Sequence, residues 1–243
     1  MYPVLFRIGS FEITSFGVLV ALGAMAGLWV FRREIGRSGL PDQAMDAAIY
    51  GLVGGLLGAK LLYVFEHLEE GTFFGLLLDR GGMSWFGGFV GGLLAGYATI
   101  RAKRWPVLKV LAAGTPALAV GQLLGRIGCF LVGDDYGHPP SLPWGVAFPE
   151  GLPPTTERVH PTQIYEAIFL GVFAWILIRW RRAGVPDRVV LGRYFVGVGA
   201  FRFALEFLRV NTGVLGPLTV AHMFALAVVL LGGLLLARRP KGR

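Results

Sequence analysis

Gly125-Arg126-Ile127-Gly128-Cys129-Phe130-Leu131-Val132-Gly133-Asp134-Asp135-Tyr136-Gly137 closes an apolar run that begins at Val107. The run from Val107 to Leu124 has the length of a helix that crosses the hydrocarbon core of a bilayer. The stretch after it therefore marks a membrane edge. Its four glycines allow sharp turns and close approach to another surface. Arg126 stands at that edge, where a charge is costly without a partner, and Asp134 and Asp135 follow it closely. A permanently charged, fork-shaped donor beside glycines suits a phosphate or a carboxylate. The plainer reading is a helix end with a snorkelling arginine and a turn.

Other apolar runs of similar length flank this one. The chain has 243 residues, 54% of them hydrophobic and only 16% charged, with a mean hydropathy of +0.62. A soluble domain needs more charged surface than that. The expected class is an all-α polytopic membrane protein, a single integral membrane domain over 1–243 with an outer loop at 134–161. Seven spans are expected: Phe16 to Phe31, Ala47 to Phe65, Phe86 to Ile100, Val107 to Leu124, Ile164 to Ile178, Val189 to Phe207 and Leu218 to Ala237. Thr72 to Leu78 is too short to cross and reads as an interfacial or re-entrant piece. The first residues, Met1 to Ser15, lack the pattern of a cleavable signal peptide. No internal repeat is visible, hence no sign of inverted transporter halves. Gly51, Gly54, Gly55 and Gly58 read as helix-packing residues.

Basic clusters follow spans one, three, five and seven, whereas the loops after spans two and four are mostly acidic. The positive-inside rule puts the N-terminus outside and the C-terminus in the cytoplasm. The formal net charge of +8 thus reflects topology and not a nucleic-acid partner. A single cysteine, Cys129, excludes an internal disulfide and a multi-cysteine metal site. No metal and no cofactor is expected.

With this topology the unusual polar residues collect at the outer side. Arg202, Glu206 and Arg209 recur at spacings of four and three on one helix face, so that Arg202 and Glu206 can pair. His160-Pro161-Thr162-Gln163-Ile164-Tyr165-Glu166 opens the fifth span, with proline in the first turn. His160 is a residue type suited to base chemistry near neutral pH, or to a plain interfacial cap. Tyr165 also fits an interfacial aromatic. Glu166, a turn into the span, calls for an arginine partner. Gly81 to Gly88 (Gly-Gly-Met-Ser-Trp-Phe-Gly-Gly) opens the third span, and backbone N–H groups at such a helix start suit an anion. Ionisable groups inside spans point to a functional site, with structural ion pairs as the bland alternative.

Three of these segments together resemble the prolipoprotein diacylglyceryl transferase family. Its signature, Gly-Arg-x-Gly-Asn-Phe-x-Asn-x-Glu-x-x-Gly, is similar to Gly125 through Gly137. His-Pro-Ser-Gln-x-Tyr-Glu resembles His160 through Glu166 with Thr162 for Ser, and Arg-Phe-x-x-Glu-x-x-Arg matches Arg202 through Arg209. The family's Gly-Gly-Met-Ser with a later Gly-Gly matches Gly81 through Gly88, and its seven-span, outside-facing layout agrees. The chain departs from the pattern at several places. The two signature Asn residues are Cys129 and Val132, the Glu is Asp134, and the His before Gly87 is Phe86. The Tyr before the first-span glycine is Phe16, and a Gly-Gln pair in the last span reads Ala221-His222.

The resemblance implies transfer of the diacylglyceryl group of phosphatidylglycerol to the thiol of a lipobox cysteine in a prolipoprotein signal peptide, with glycerol phosphate leaving. It implies a bacterial cytoplasmic (inner) membrane location with the site on the outer side, and no nucleic acid. Arg126 and Arg202 would stabilise the leaving phosphate, and His160 or a carboxylate would take the thiol proton. Gly125, Gly128, Cys129, Asp134, Gly137, Tyr165, Glu166, Glu206, Arg209, Phe86 and Phe16 would bind substrate. Two alternatives stand beside it. One is a divergent enzyme of the same fold acting on another lipid or acceptor, with Cys129 as nucleophile or as a small buried apolar residue. The other is a non-catalytic anionic-lipid binder or transporter. Oligomeric state is not legible.

Overall fold

A computed structural model describes residues 2–9, 11–79, 81–139, 143–211 and 216–238. Arg239, Lys241 and Arg243 of the C-terminal basic cluster, and residues 140–142 of the outer loop, lie outside the described residues.

The chain is dominated by helices, α1 (Ser15–Arg37), α2 (Met45–Glu66), α3 (Phe73–Leu78), α4 (Trp85–Ala102), α5 (Val107–Val132), α6 (Thr162–Arg182), α7 (Asp187–Glu206) and α8 (Val220–Ala237). Five stretches are long and apolar enough to cross a membrane: Ser15–Arg37, Asp42–Glu66, Val107–Val132, Thr162–Arg182 and Val220–Ala237. The expected third and sixth spans form as helices, but they are not among these five. In α7 the reason is its charge, because Asp187, Arg188, Arg193, Arg202 and Glu206 interrupt the apolar sequence. Two small antiparallel hairpins accompany the helices, which the all-α reading does not include. β1 (Val4–Ile8) pairs with β2 (Phe11–Thr14), and β3 (Val146–Phe148) pairs with β4 (Thr155–Val159) inside the outer loop.

The chain divides into two compact units. One comprises 1–30 with 115–243, the other 31–114. In the second unit, α2 and α4 meet through glycines. A Cβ on Gly58 would lie 2.3 Å from the Gly87 carbonyl oxygen, and one on Gly91 would lie 2.3 Å from that of Gly54. No side chain fits there, so these glycines serve close helix packing, as their spacing suggests. The short α3 has Thr72 as its N-cap, accepting from the Gly75 N–H, and does not cross. Lys60, inside α2, donates to the carbonyls of Asp79 and Gly81 at 2.7 Å each. The Ser84 N–H is taken by the Ala59 carbonyl at 3.0 Å. The ammonium thus ties the Gly81 segment to α2 through its backbone carbonyls.

In the first unit, a cluster of Ala119, Leu170, Phe173, Ala174, Leu177, Val190 and Tyr194 joins α5, α6 and α7. α7 and α8 touch backbone to backbone, a Cβ on Gly232 falling 2.7 Å from the Gly192 carbonyl oxygen. This packing brings the C-terminal end of α5, the N-terminal end of α6 and the C-terminal end of α7 to one place.

Candidate active site

The Gly125–Gly137 stretch is helical for most of its length. α5 runs through Gly125 and Gly128 to Val132, so the turn expected at its start comes only at Gly133. There Gly133 (φ 78°) and Asp135 (φ 62°) adopt left-handed conformations, and the Gly133 and Asp134 N–H groups both cap the Cys129 carbonyl. The reversal directs two consecutive carboxylates to different partners. Asp134 hydrogen-bonds the Cys129 thiol. Asp135 receives Arg126 Nη1 at 2.8 Å and pairs with Arg209 Nη2. The residue matched to the family's Glu is therefore not the one that grips the arginines, and Asp135, absent from the expected site, is. The signal for it was the adjacent carboxylate pair; which of the two meets the arginines depends on the left-handed turn.

α6 holds this turn from the other side. Thr162 Oγ1 donates to the Asp135 carbonyl at 2.7 Å, and Gln163 Nε2 donates to the Asp134 carbonyl. Both side chains are buried. Gly137 and Arg209 form an antiparallel bridge, with the Gly137 N–H donating to the His160 carbonyl and the His138 N–H to the Leu208 carbonyl. A Cβ on Gly137 would lie 2.3 Å from the Leu208 carbonyl oxygen. Only glycine lets these strands of backbone approach so closely.

The charges close into a ring. Arg126 Nε lies 2.9 Å from Glu166 Oε2, and Arg202 Nη1 lies 3.9 Å from the same oxygen. Arg202 Nη2 lies 3.0 Å from Glu206 Oε2, and Arg209 Nε lies 3.7 Å from it. With the two Asp135 contacts, three guanidiniums and three carboxylates alternate from Arg126 around to Arg126. Arg209 sits in the turn beyond α7 and not on the α7 face. Glu206, 2% exposed, also accepts from Asn211 Nδ2 at 2.7 Å and Thr219 Oγ1 at 2.9 Å. Two arginines on Oε2 and two neutral donors on Oε1 thus hold this carboxylate in one orientation.

Burial pushes the Asp135 carboxyl upward, but the Arg209 and Arg126 guanidiniums outweigh it and hold it below the usual carboxylate range. Burial and the neighbouring Asp135 push Asp134 above that range. Cys129, Asp134 and Asp135 bring ligand-type atoms within 4.8 Å of one another, a cluster not foreseen from spacing. Both Asp135 oxygens already face guanidiniums, so cationic side chains satisfy that carboxylate.

His160 stands beside the ring through Gly137. Trp144 Nε1 donates to the Tyr165 hydroxyl at 2.8 Å, and that hydroxyl lies 3.1 Å from His160 Nδ1. An indole N–H only donates, so the phenol proton is free to point at His160 Nδ1. Phe16 packs on α5, its Cα lying 3.3 Å from a Cβ built on Gly128, whereas a Cβ on Gly125 would meet nothing within 4 Å among the described residues. Gly128 is thus a packing position and Gly125 an open one. Cys129 is buried, with its sulfur 3.9 Å from Arg126 Nη1. Phe86 belongs to the second unit, half-exposed in the first turn of α4 and edge-on to Trp85.

A family model for prolipoprotein diacylglyceryl transferase matches residues 3–238. The chain is 36% identical over 259 residues to the phosphatidylglycerol–prolipoprotein diacylglyceryl transferase of Geobacter sulfurreducens, covering 99% of this chain and 97% of that protein. It is 35% identical over 251 residues to the protein of that name from Methylococcus capsulatus, with 97% and 94% covered. The Clostridium tetani protein of that name is 34% identical over 242 residues, with 96% and 95% covered. With a family model over residues 3–238 and relatives alike along nearly the whole length, the chain belongs to the prolipoprotein diacylglyceryl transferase family.

Proposed function

We propose that the chain is a transferase that moves the diacylglyceryl group of phosphatidylglycerol to the thiol of a lipobox cysteine in prolipoproteins, releasing glycerol phosphate. The thiol sulfur forms a bond to the glyceryl carbon of the lipid, the bond from that carbon to the phosphate oxygen breaks, and the phosphate keeps the electron pair. The developing charge needs donors fixed in advance. The observation that carries the reading is the alternating ring, in which Glu166, Asp135 and Glu206 orient Arg126, Arg202 and Arg209. Arg126 and Arg202 stabilise the leaving phosphate. Gly125, Cys129, Asp134 and Phe16 line the substrate beside the ring, and Gly128 and Gly137 let the surrounding backbone pack closely. The named activity of the relatives favours transfer over a non-catalytic lipid binder.

The thiol proton goes to His160 Nδ1 by way of the Tyr165 phenol, a route that the 3.1 Å hydroxyl–imidazole contact supports. The reaction occurs at the outer side of a bacterial inner membrane. There α4 and α7 cross together with the five apolar helices, giving seven spans with the N-terminus outside. Both substrates then arrive from the lipid, one as a phospholipid and the other on a signal peptide.

Lysine at Arg126 or Arg202 keeps the charge but loses the bidentate fork. Arg126→Lys and Arg202→Lys should each reduce turnover of phosphatidylglycerol by about tenfold or more, about 1.4 kcal/mol of transition-state stabilisation. Their Tm in detergent should change little. Purified protein, a lipobox peptide and labelled phosphatidylglycerol make the measurement. Full activity in both variants removes these arginines from the site.

A further inference from the structure

The structure assigns His222 as a positioning residue for the arginine ring, acting through Thr219 and Glu206. His222 is 1% exposed and packs against Phe203 and Phe207, with ring centroids 4.9 and 4.4 Å away. Its Nδ1 accepts the Thr219 N–H at 3.1 Å, and the His222 N–H donates to Thr219 Oγ1 at 3.3 Å. This is a reciprocal cap at the start of α8, with histidine where glutamate or glutamine is usual. The cap has an outward consequence. Thr219 Oγ1 has one proton, and it donates to Glu206 Oε1 at 2.9 Å. Two acceptors lie within reach of that proton, Glu206 Oε1 and, at 3.1 Å, His222 Nδ1; the single lone pair of Nδ1 is taken by the Thr219 N–H, which leaves the proton to Glu206. Glu206 is thereby held with its other oxygen toward Arg202 and Arg209. The imidazole carries its own proton on Nε2, which makes no hydrogen bond among the described residues. Nδ1 is thus the ring atom that the described residues engage. His222 meets the arginines only through Thr219 and Glu206. It sets the rotamer of the residue that sets the arginines.

The inference rests on the proposed transfer reaction. His222→Leu removes the acceptor, whereas His222→Gln keeps one at the same cap position. Expected is a fall in kcat on the order of tenfold to a hundredfold for His222→Leu, with KM for the peptide little changed. His222→Gln should stay close to the unmodified chain. Thr219→Val combined with His222→Leu should be no worse than the more damaging single variant, because both break one path. The inference is overturned if His222→Gln is as impaired as His222→Leu, if the two losses multiply, or if kcat merely follows Tm across the set. Should the unmodified chain transfer nothing, the proposed reaction fails by itself. The inference is then judged by binding of phosphatidylglycerol in detergent micelles: weaker binding by His222→Leu with recovery in His222→Gln upholds it, and equal affinities overturn it.

Discussion

Asp134 and Asp135 are chemically identical neighbours with opposite energetic roles. Asp135 has a folded-state pKa below its unfolded value, so its contribution is present above the unfolded carboxylate range and is lost as pH falls through the folded value. Asp134 has a raised one, so its contribution is present below the unfolded range and disappears as pH rises through the folded value. At neutral pH the first carboxylate stabilises and the second costs. Asp135→Asn should therefore lower Tm at pH 7 and reduce the loss of Tm on acidification, since Arg126 and Arg209 lose their shared partner. Asp134→Asn should leave Tm at pH 7 equal or higher. Melting curves of the three proteins between pH 4 and 7 (roughly the range in which carboxylates titrate) decide it. A larger fall for Asp134→Asn would mean that the two side chains have been assigned the wrong way round.

Among the elements, α2 and α4 show how far small residues determine packing. A methyl group on Gly58 would lie 2.3 Å from a backbone oxygen, which cannot rotate away. Gly36, in α1 of the same unit, has nothing among the described residues within 4 Å of such a methyl and is exposed. Gly58→Ala should cost about 1–3 kcal/mol through forced separation of the helices. Gly36→Ala should gain about 0.5–1 kcal/mol from a less flexible unfolded chain. Urea or thermal unfolding in one detergent compares them. Equal effects would remove close packing as the reason for the Gly58–Gly87 contact. α5 carries the complementary lesson: glycines at Gly125 and Gly128 read as turn signals, yet the helix passes through both. Glycine lowers helix stability only modestly, and packing of α5 against α1 at Gly128 outweighs that preference.

The scale of the whole molecule is set by its membrane crossings. Five helices qualify by length and apolarity, and α7 is set apart by charges that find partners inside the protein. Arg202 pairs with Glu206, and Arg193 lies over the Trp180 ring at 4.7 Å. A charge so matched no longer opposes insertion as a bare one does. Seven crossings with the N-terminus outside follow if α4 and α7 span. Reporter fusions after Arg37 and Arg104 should then read as cytoplasmic, and one in the His138–Pro161 loop as external. The reverse pattern would move the arginine ring to the wrong face for a reaction on exported prolipoproteins.

The membrane class, the helices and their order, the packing role of the α2 glycines and the pairing of Arg202 with Glu206 are all legible in the sequence. Each depends on the hydropathy or spacing of residues close together in the chain, where helical geometry fixes neighbours in advance. Membership of the family is legible too, from three short motifs. The tertiary structure alone decides that Asp135 and not Asp134 joins Arg126 to Arg209, that the ring closes, and that His222 reaches Glu206 through Thr219. Those contacts join segments far apart in the chain, and their geometry turns on two left-handed residues and on backbone approaches that permit no Cβ. Charge and spacing identify which groups need partners; only the packed backbone determines which partner each one meets.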